Sequence, residues 1–240
     1  MRILVTRPEP EASRTAAQLQ AMGHEVSIEP LLQFQVVRPK PGALMLDDVG
    51  AVALTSARAL RSLEELGVLP QLLSFPIFTV GDRSAEEARA VGFERIYSAS
   101  GTLEDLTALM ARVGARGTVF YPCGQDLSGD LPKALSIHGI KCRGVVVYSM
   151  EPKARFSADT AHRLAAGEFE RVLFYSRRTA HTFTQLMRLE KISVFVNSMK
   201  ALCVSEKIAA ALDGFAEVEI AREPTEAALL DLIGQKPLAD

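Results

Sequence analysis

The sequence has only three cysteines and no long apolar run, which argues against a disulfide-rich protein and against a membrane-spanning one. Cys123, Cys142 and Cys203 are odd in number and form no CxxC pair, so we expect free thiols rather than a disulfide framework or a zinc site. No apolar stretch approaches the ~18 residues of a membrane span. Residues 2–5 already predict a strand, which leaves no room for a signal peptide. The expected location is the cytoplasm.

The chain also lacks a large excess of either charge, since the formal net charge is −2. A protein that binds nucleic acid or a membrane surface needs a strong basic field, so neither partner is expected. The phosphate-binding and hydrolase motifs GxxxxGK[ST], GxGxxG and GxSxG are missing. The four histidines lack the paired spacing of metal ligands, and we predict no metal site.

The sequence does contain strand and helix patterns that alternate along its 240 residues. This alternation predicts an α/β protein with parallel sheets. Residues 144–152 include a β-branched run that predicts a strand buried on both faces, and Tyr148 stands at its end. A polar segment with Pro152 follows. Tyr148 is therefore expected where the chain leaves one compact unit for another.

Two halves of the chain repeat each other. The pattern V-x-x-x-S-x-R at 52–58 recurs at 172–178, about 120 residues later, and 1–35 resembles 117–150. We call 1–35 segment A and 117–150 segment A′, and the segments that contain 52–58 and 172–178 are B and B′. The order along the chain is A, B, A′, B′. Only the A–B and A′–B′ connectors are long and contain proline. Because linkers fall between domains, we predict two five-stranded flavodoxin-like domains joined by a two-strand hinge. The first combines 1–35 with 165–240, the second (40–148) is inserted into it, and 36–39 and 149–164 are linkers.

Small hydroxyl side chains and arginines follow the predicted strands in both halves. Parallel sheets bind ligands at the carboxyl ends of their strands, and hydroxyl, guanidinium and helix N–H donors suit anions. The alternative is that the hydroxyls are ordinary helix N-caps, and Ser84 with Glu87 does predict a capping box. Their repetition favours a small polyanion between the domains. The candidate residues are Arg7, Ser56, Arg58, Ser84, Thr102, Ser176, Arg178 and Thr225.

Several short motifs occur in a characteristic order. They are Ile-Leu-Val-Thr-Arg-Pro at 3–8, Gly-His-Glu-Val at 23–26, Leu-Thr-Ser-Ala at 54–57, Val-Val-Tyr at 146–148 and Pro-Thr-Glu-Ala-Ala-Leu at 224–229. Taken together, they make the sequence resemble the uroporphyrinogen-III synthase family over essentially its whole length. The resemblance implies two α/β domains joined by two strands, which agrees with the argument from the linkers.

The resemblance also implies an activity. A cofactor-independent hydro-lyase of this family cyclises hydroxymethylbilane to uroporphyrinogen III in haem biosynthesis, with loss of water and inversion of ring D. The eight carboxylates of that substrate suit the donors described above. Tyr148 matches the family's tyrosine, the candidate general acid, because a phenol keeps its proton at neutral pH. Ser84 and Thr225, and less closely Ser56 and Ser176, match hydroxyl positions. We expect a monomer with at most a transient contact to the preceding enzyme of the pathway.

Two other functions fit parts of the pattern. A non-catalytic two-domain protein could bind a small polyanionic ligand in its cleft, although such periplasmic binders carry a signal peptide. A pair of receiver-type signalling domains would need an acidic pocket with a phosphorylatable aspartate at a strand end, and none is evident.

Overall fold

The computed structural model describes residues 1–192 and 199–234, and the chain divides into two compact units. Unit 1 comprises Met1–Gln33 and Glu151–Asp240, and unit 2 comprises Phe34–Met150. The predicted first domain also includes 193–198 and 235–240, which lie outside the described residues.

Unit 1 is built on a five-stranded sheet. Its strands are β1 (Arg2–Val5), β2 (Glu25–Ile28), β9 (Arg171–Phe174), β10 (Lys200–Cys203) and β11 (Val218–Ile220). Its helices are α1 (Glu11–Ala21), α7 (Ala158–Ala165), α8 (Arg177–Leu189), α9 (Glu206–Ala209) and α10 (Glu226–Asp231). The strand order is β11-β10-β9-β1-β2, and every neighbouring pair is parallel.

Apolar side chains cover both faces of this sheet. Leu4 and Phe174 pack with α8 side chains such as Phe183 on one face, whereas Ile3 and Leu173 pack on the other. Neighbouring strand residues therefore belong to different cores, as the period of two along a strand requires. Helix α7 contributes Leu164 to the first core, so part of the predicted linker 149–164 is packed in unit 1.

Unit 2 contains the second sheet. Its strands are β3 (Leu32–Val36), β4 (Val49–Leu54), β5 (Ile77–Thr79), β6 (Ile96–Ser98), β7 (Thr118–Gly124) and β8 (Cys142–Pro152). Its helices are α2 (Arg58–Glu65), α3 (Leu69–Leu72), α4 (Asp82–Ala90), α5 (Leu103–Val113) and α6 (Leu131–Ser136). The order is β3-β8-β7-β4-β5-β6, and the pairs from β8 to β6 are parallel. The predicted α/β class with parallel sheets is confirmed.

The second sheet has six strands where the sequence predicted five. The additional strand is β3, which lies beside β8 at the edge of the sheet, and the Val37 N–H donates to the Val147 carbonyl just beyond it (2.9 Å). The prediction that β8 is buried on both faces was wrong. Val145 and Val147 are buried, but Val146 between them is 37% exposed.

Both boundaries between the units fall inside strands, between residues 33 and 34 in β3 and between residues 150 and 151 in β8. In unit 1 the chain is fixed next to both boundaries. The Lys153 N–H donates to the Leu31 carbonyl (2.9 Å), and Lys153 Nζ lies 2.6 Å from the buried Glu29 carboxylate. The Ser157 hydroxyl donates to the same carboxylate (2.6 Å). These bonds tie the end of β2 to the segment that follows β8.

Candidate active site

Each sheet has a point where the strand order reverses. In unit 1 this point lies between β1 and β9, and in unit 2 between β4 and β7. Open α/β sheets bind ligands at the carboxyl ends of the strands beside such a point. In unit 1 those ends lead to Arg7 and Tyr175, and in unit 2 to Thr55 and Gly124. The two clusters are described separately below.

In unit 2, Tyr148 lies on β8 with its ring held on two sides. The ring stacks on Phe34, with centroids 5.8 Å apart and planes 27° apart. The guanidinium of Arg61 in α2 lies over the Phe34 ring, 4.7 Å from its centroid. A Cβ added to Gly124 would lie 2.7 Å from Tyr148 Cζ and 2.9 Å from its hydroxyl oxygen, closer than real Cβ contacts. The absence of a side chain at Gly124 is therefore what leaves room for this ring.

The Tyr148 hydroxyl makes no hydrogen bond to any residue in 1–192 or 199–234. Its neighbour Tyr121 differs, since the Tyr121 hydroxyl lies 2.9 Å from Thr55 Oγ1. Burial raises the pKa of Tyr121, which keeps that phenol protonated. Of these two tyrosines, Tyr148 is therefore the one whose hydroxyl has no hydrogen-bond partner among the described residues.

The other candidate residues of unit 2 stand at the starts of helices. Ser56 Oγ accepts from the Arg58 N–H (3.3 Å), and Arg58 is the first residue of α2. Thr102 is the N-cap of α5 and forms a complete capping box with Asp105. The capping box predicted at Ser84 was wrong, because α4 already begins at Asp82 and Ser84 lies buried in its first turn.

In unit 1 the reversal point carries a charged cluster. Arg7 Nη1 lies 2.8 Å from Glu226 Oε1 and 3.1 Å from Thr15 Oγ1. Thr15 Oγ1 is also hydrogen-bonded to Glu226 Oε1, and the Tyr175 hydroxyl donates to that same oxygen (3.3 Å). The Arg7 guanidinium lies 3.9 Å from the centroid of the Tyr175 ring. Three donors, one from the loop after β1, one from α1 and one from the loop after β9, thus share one carboxylate oxygen.

The burial and the charged neighbours of Tyr175 change the acidity of its phenol. Burial, followed by the charge of Glu226, raises the pKa of Tyr175 to about 12, although hydrogen bonds from Thr15 and Arg7 oppose the shift. The phenol therefore remains a hydrogen-bond donor throughout the neutral range.

The remaining candidates of unit 1 cap helices or begin them. Ser176 is the N-cap of α8 and accepts from the Thr179 N–H (3.1 Å), and Arg178 is the second residue of that helix. Thr225 is the N-cap of α10 and accepts from the Ala228 N–H (3.2 Å). The alternative that these hydroxyls are N-caps is confirmed for Thr102, Ser176 and Thr225, while the substrate-binding role stays a prediction for all of them.

Comparison with known proteins identifies the family. The HEM4 family model, described as uroporphyrinogen-III synthase HemD, matches residues 13–231. The chain belongs to the uroporphyrinogen-III synthase family. The predicted family is thereby confirmed, and with it the predicted function at family level: a lyase of tetrapyrrole and haem biosynthesis.

Solved structures agree on the fold. A uroporphyrinogen-III synthetase from Helicobacter pylori is 19% identical, with a TM-score of 0.65 over 97% of this chain and 98% of that one. A variant uroporphyrinogen III synthase from the extremely thermophilic bacterium Thermus thermophilus is 18% identical, with a TM-score of 0.54 over 97% of each chain. A search of curated proteins finds no match.

Sequence reasoning missed several members of both clusters. In unit 1 it found Arg7 but not the three residues around it: Thr15, Tyr175 and Glu226. One signal was available, because Tyr175 occupies the position in the repeat that Thr55 holds about 120 residues earlier. In unit 2 the contacts of Tyr148 with Phe34 and Gly124 have no local pattern, since they join positions distant in the sequence.

The described residues contain neither a metal-ligand cluster nor a membrane-spanning helix. No group of three or more His, Cys, Asp or Glu side chains there could hold a metal ion. None of the described helices is both long and apolar enough to cross a membrane.

Proposed function

We propose that this chain cyclises hydroxymethylbilane to uroporphyrinogen III, with loss of water and inversion of the last pyrrole ring. The observation that carries the proposal is the match of the uroporphyrinogen-III synthase family model to residues 13–231. The substrate is a flexible chain of four pyrroles with eight carboxylates. The protein must therefore bind many anionic groups and fix one folded arrangement of the chain.

Tyr148 is the proposed general acid. A pyrrole nitrogen donates its lone pair towards the terminal carbon, the C–O bond breaks, and the phenol transfers its proton to the departing oxygen, which leaves as water. The substituted carbon of the last ring then attacks the resulting azafulvene and gives a spirocyclic pyrrolenine. The bond between that carbon and the methylene bridge to the third ring breaks, which leaves a second azafulvene on the third ring. The unsubstituted carbon of the last ring attacks this azafulvene, and the proton lost from that carbon restores the phenol. Support comes from the unpaired Tyr148 hydroxyl, whose ring is held between Phe34 and Gly124.

The hydroxyls and arginines at the strand ends are the proposed ligands of the carboxylates. Thr225 and Ser56 suit this role best, because each hydroxyl oxygen accepts from a backbone N–H while its proton has no acceptor among the described residues. The Thr102 hydroxyl already donates to Asp105 (2.7 Å), so its contribution would need that bond to open. The other residues of the proposed set are Ser84, Ser176, Arg7, Arg58 and Arg178.

The proposal is tested by the identity of the product. Purified protein is incubated with hydroxymethylbilane without added metal or nucleotide, and the oxidised products are separated into type I and type III isomers. We expect the type III isomer, while a heat-denatured sample should give the uninverted type I product of spontaneous closure. Type I alone from the native protein would contradict the proposed activity.

We further propose that the chain acts as a cytoplasmic monomer and meets the preceding pathway enzyme at most transiently. Support for a reducing compartment comes from the thiols. Cys123 and Cys203 are buried, and burial raises the pKa of Cys142 and of Cys203 to about 12, so these thiols are unreactive. Sedimentation of the purified protein tests the oligomeric state, and a stable dimer would contradict it.

A further inference from the structure

The charged cluster of unit 1 has the composition of a carboxylate-binding site. Arg7, Thr15 and Tyr175 each place a donor on one carboxylate oxygen, Glu226 Oε1. A guanidinium with two hydroxyls is a strong donor set for a carboxylate. The set lies at the carboxyl ends of β1 and β9, where the strand order reverses and where α/β sheets receive ligands. The position suits a ligand, yet a side chain of the protein occupies it.

We propose that Arg7, Thr15 and Tyr175 form a receiving site for one carboxylate of the substrate, and that Glu226 fills this site until the substrate displaces it. The identity of the incoming carboxylate rests on the proposed function. The receiving site itself rests only on the geometry of unit 1.

Glu226 is placed so that it can leave. Its side chain is 36% exposed, although it belongs to an ion pair. It is the first residue of the short helix α10, and this helix is capped by the hydroxyl of Thr225, so the cap does not depend on Glu226. A cavity of about 520 Å³ lies beside it, lined by α1 and α10 side chains that include Gln18 and Leu230. The displaced carboxylate therefore has space. Gln18 offers an amide donor on one side of that cavity, and Asp231 also lines it, so we expect the carboxylate to turn towards Gln18.

The exchange replaces one carboxylate by another. The guanidinium and the two hydroxyls keep their acceptor, so the hydrogen bonds lost from Glu226 are regained from the ligand. Tyr175 stays a donor in both states, since its pKa is raised to about 12. Glu226 is 36% exposed and can enter water, whereas Arg7, only 18% exposed, would be left with a buried charge if it had no partner. Exchange of one carboxylate for another avoids that cost.

The competing explanation is that Glu226 is a fixed brace between α10 and the sheet. The two explanations predict opposite changes in substrate binding when Glu226 is removed. Loss of a brace disorders Arg7 and weakens substrate binding, whereas loss of an occupant frees Arg7 and strengthens it. Glu206 gives a matched control, because it is the first residue of α9 in the same unit and follows the cap position Ser205 as Glu226 follows Thr225.

The first test needs no substrate and uses acetate as the probe. Thermal unfolding is measured for Glu226→Ala, Glu206→Ala and the Arg7→Ala/Glu226→Ala double variant, in sodium acetate and in sodium chloride of equal ionic strength. We expect acetate to raise the melting temperature of Glu226→Ala by about 2 °C relative to chloride. The other two variants should show no acetate-specific shift. An equal shift in all three, or none in Glu226→Ala, would overturn the receiving site.

The second test uses turnover of hydroxymethylbilane. We expect KM to fall about fivefold in Glu226→Ala, the factor for removing a competing, partly exposed ion pair, and to stay unchanged in Glu206→Ala. Arg7→Ala should raise KM more in the Glu226→Ala background than in the wild type. A higher KM in Glu226→Ala would identify a brace and overturn the proposal. Absence of the type III product in the wild type would instead refute the proposed function, while the acetate test still decides the receiving site.

Discussion

Tyr148 in unit 2 and Tyr175 in unit 1 are both tyrosines of the candidate clusters, but they are held in opposite ways. Tyr148 lies within β8 beside Gly124, the last residue of β7, whereas Tyr175 directly follows β9. The ring of Tyr148 is fixed by Phe34 and by the bare backbone of Gly124, and its hydroxyl has no partner among the described residues. The hydroxyl of Tyr175 is bound to Glu226, and its ring lies under Arg7. The Tyr148 ring is positioned by packing and its hydroxyl makes no hydrogen bond among the described residues, whereas the Tyr175 phenol is held by the charged groups of Arg7 and Glu226.

The difference indicates different chemistry for the two phenols. A general acid needs a proton that it can release to the reacting atom, and a neighbouring carboxylate makes that release harder. Glu226 helps to raise the pKa of Tyr175 to about 12, so Tyr175 is suited to donate a hydrogen bond and to keep its proton. Tyr148 has no carboxylate at its hydroxyl within the described chain. Tyr148 is therefore the acid candidate, and Tyr175 the binding candidate.

The largest expected effect separates the two tyrosines directly. Tyr148→Phe removes the proposed acid while keeping the ring that packs on Phe34, so kcat should fall about a hundredfold with the fold intact. The measurement is steady-state formation of uroporphyrinogen III, with circular dichroism and the melting temperature as checks on the fold.

Tyr175→Phe is the matched control for this loss. It deletes one phenolic hydroxyl just after β9, and we expect kcat to change by less than about threefold. Tyr175 supplies only one of three hydrogen bonds to the carboxylate in its site, whether that is Glu226 or the substrate, so its loss should appear mainly in KM. Equal losses of kcat in both variants would remove the distinction between acid and binder, and unchanged kinetics in Tyr148→Phe would end its proposed role.

The next effect tests whether the position of the Tyr148 ring matters. Gly124→Ala places a Cβ 2.7 Å from the ring, which cannot retreat freely because Phe34 lies against it. The hydroxyl must then move, and we expect kcat to fall about tenfold. Turnover is measured for Gly124→Ala and for the Gly124→Ala/Tyr148→Phe double variant. In the double variant, Gly124→Ala should cause no loss of kcat beyond that of Tyr148→Phe.

Gly144→Ala provides the control for a new methyl group. Gly144 lies on the same strand as Tyr148, but a Cβ there would meet Pro132 Cγ at 3.6 Å and Tyr121 Cδ1 at 3.7 Å, which are ordinary contacts. We expect little change in kcat. A loss from Gly124→Ala that persists in the Tyr148→Phe background would mean that it acts on something other than this phenol.

Local patterns in the sequence were sufficient for much of the fold. The alternation of strands and helices predicted the parallel sheets, and the hydroxyls of Thr102 and Thr225 correctly predicted the starts of α5 and α10. A hinge of two strands was predicted, and the strands in which the unit boundaries fall, β3 and β8, do lie side by side. What the sequence did not indicate is that β3 extends the second sheet as a sixth strand. Strand β3 is short, and its partner β8 lies more than a hundred residues away, so no nearby residue indicates the pairing. The predicted domain boundaries and linkers stay predictions.

The site was harder to predict than the fold, because its contacts also join residues that are distant in the sequence. Strand ends collect candidate hydroxyls and arginines, but the sequence does not indicate which of them the protein already uses. Arg7 read as a free ligand for anions, whereas a glutamate 219 residues away binds it. Gly124 was not among the candidate residues, and its importance lies in a contact with a ring on the neighbouring strand. Such pairings are set by tertiary packing.

The smallest expected effect concerns pH and tests the environment of Tyr175. Its pKa in the folded protein, about 12, lies above the ordinary value of 10.0, chiefly through burial and then through Glu226. The protonated phenol is thus favoured by folding, so its contribution to stability is fully present below pH 10 and is lost as the pH rises through about 12. The difference in urea midpoint between wild type and Tyr175→Phe should stay constant from neutral pH to just below pH 10, then shrink. In the Glu226→Gln background the decrease should begin at the same pH but end at a lower pH and be smaller, because one cause of the raised pKa is removed while burial remains. A difference that stays constant up to about pH 12 would mean that the phenol is not held as described, and the comparison with Tyr148 would then lose its electrostatic basis.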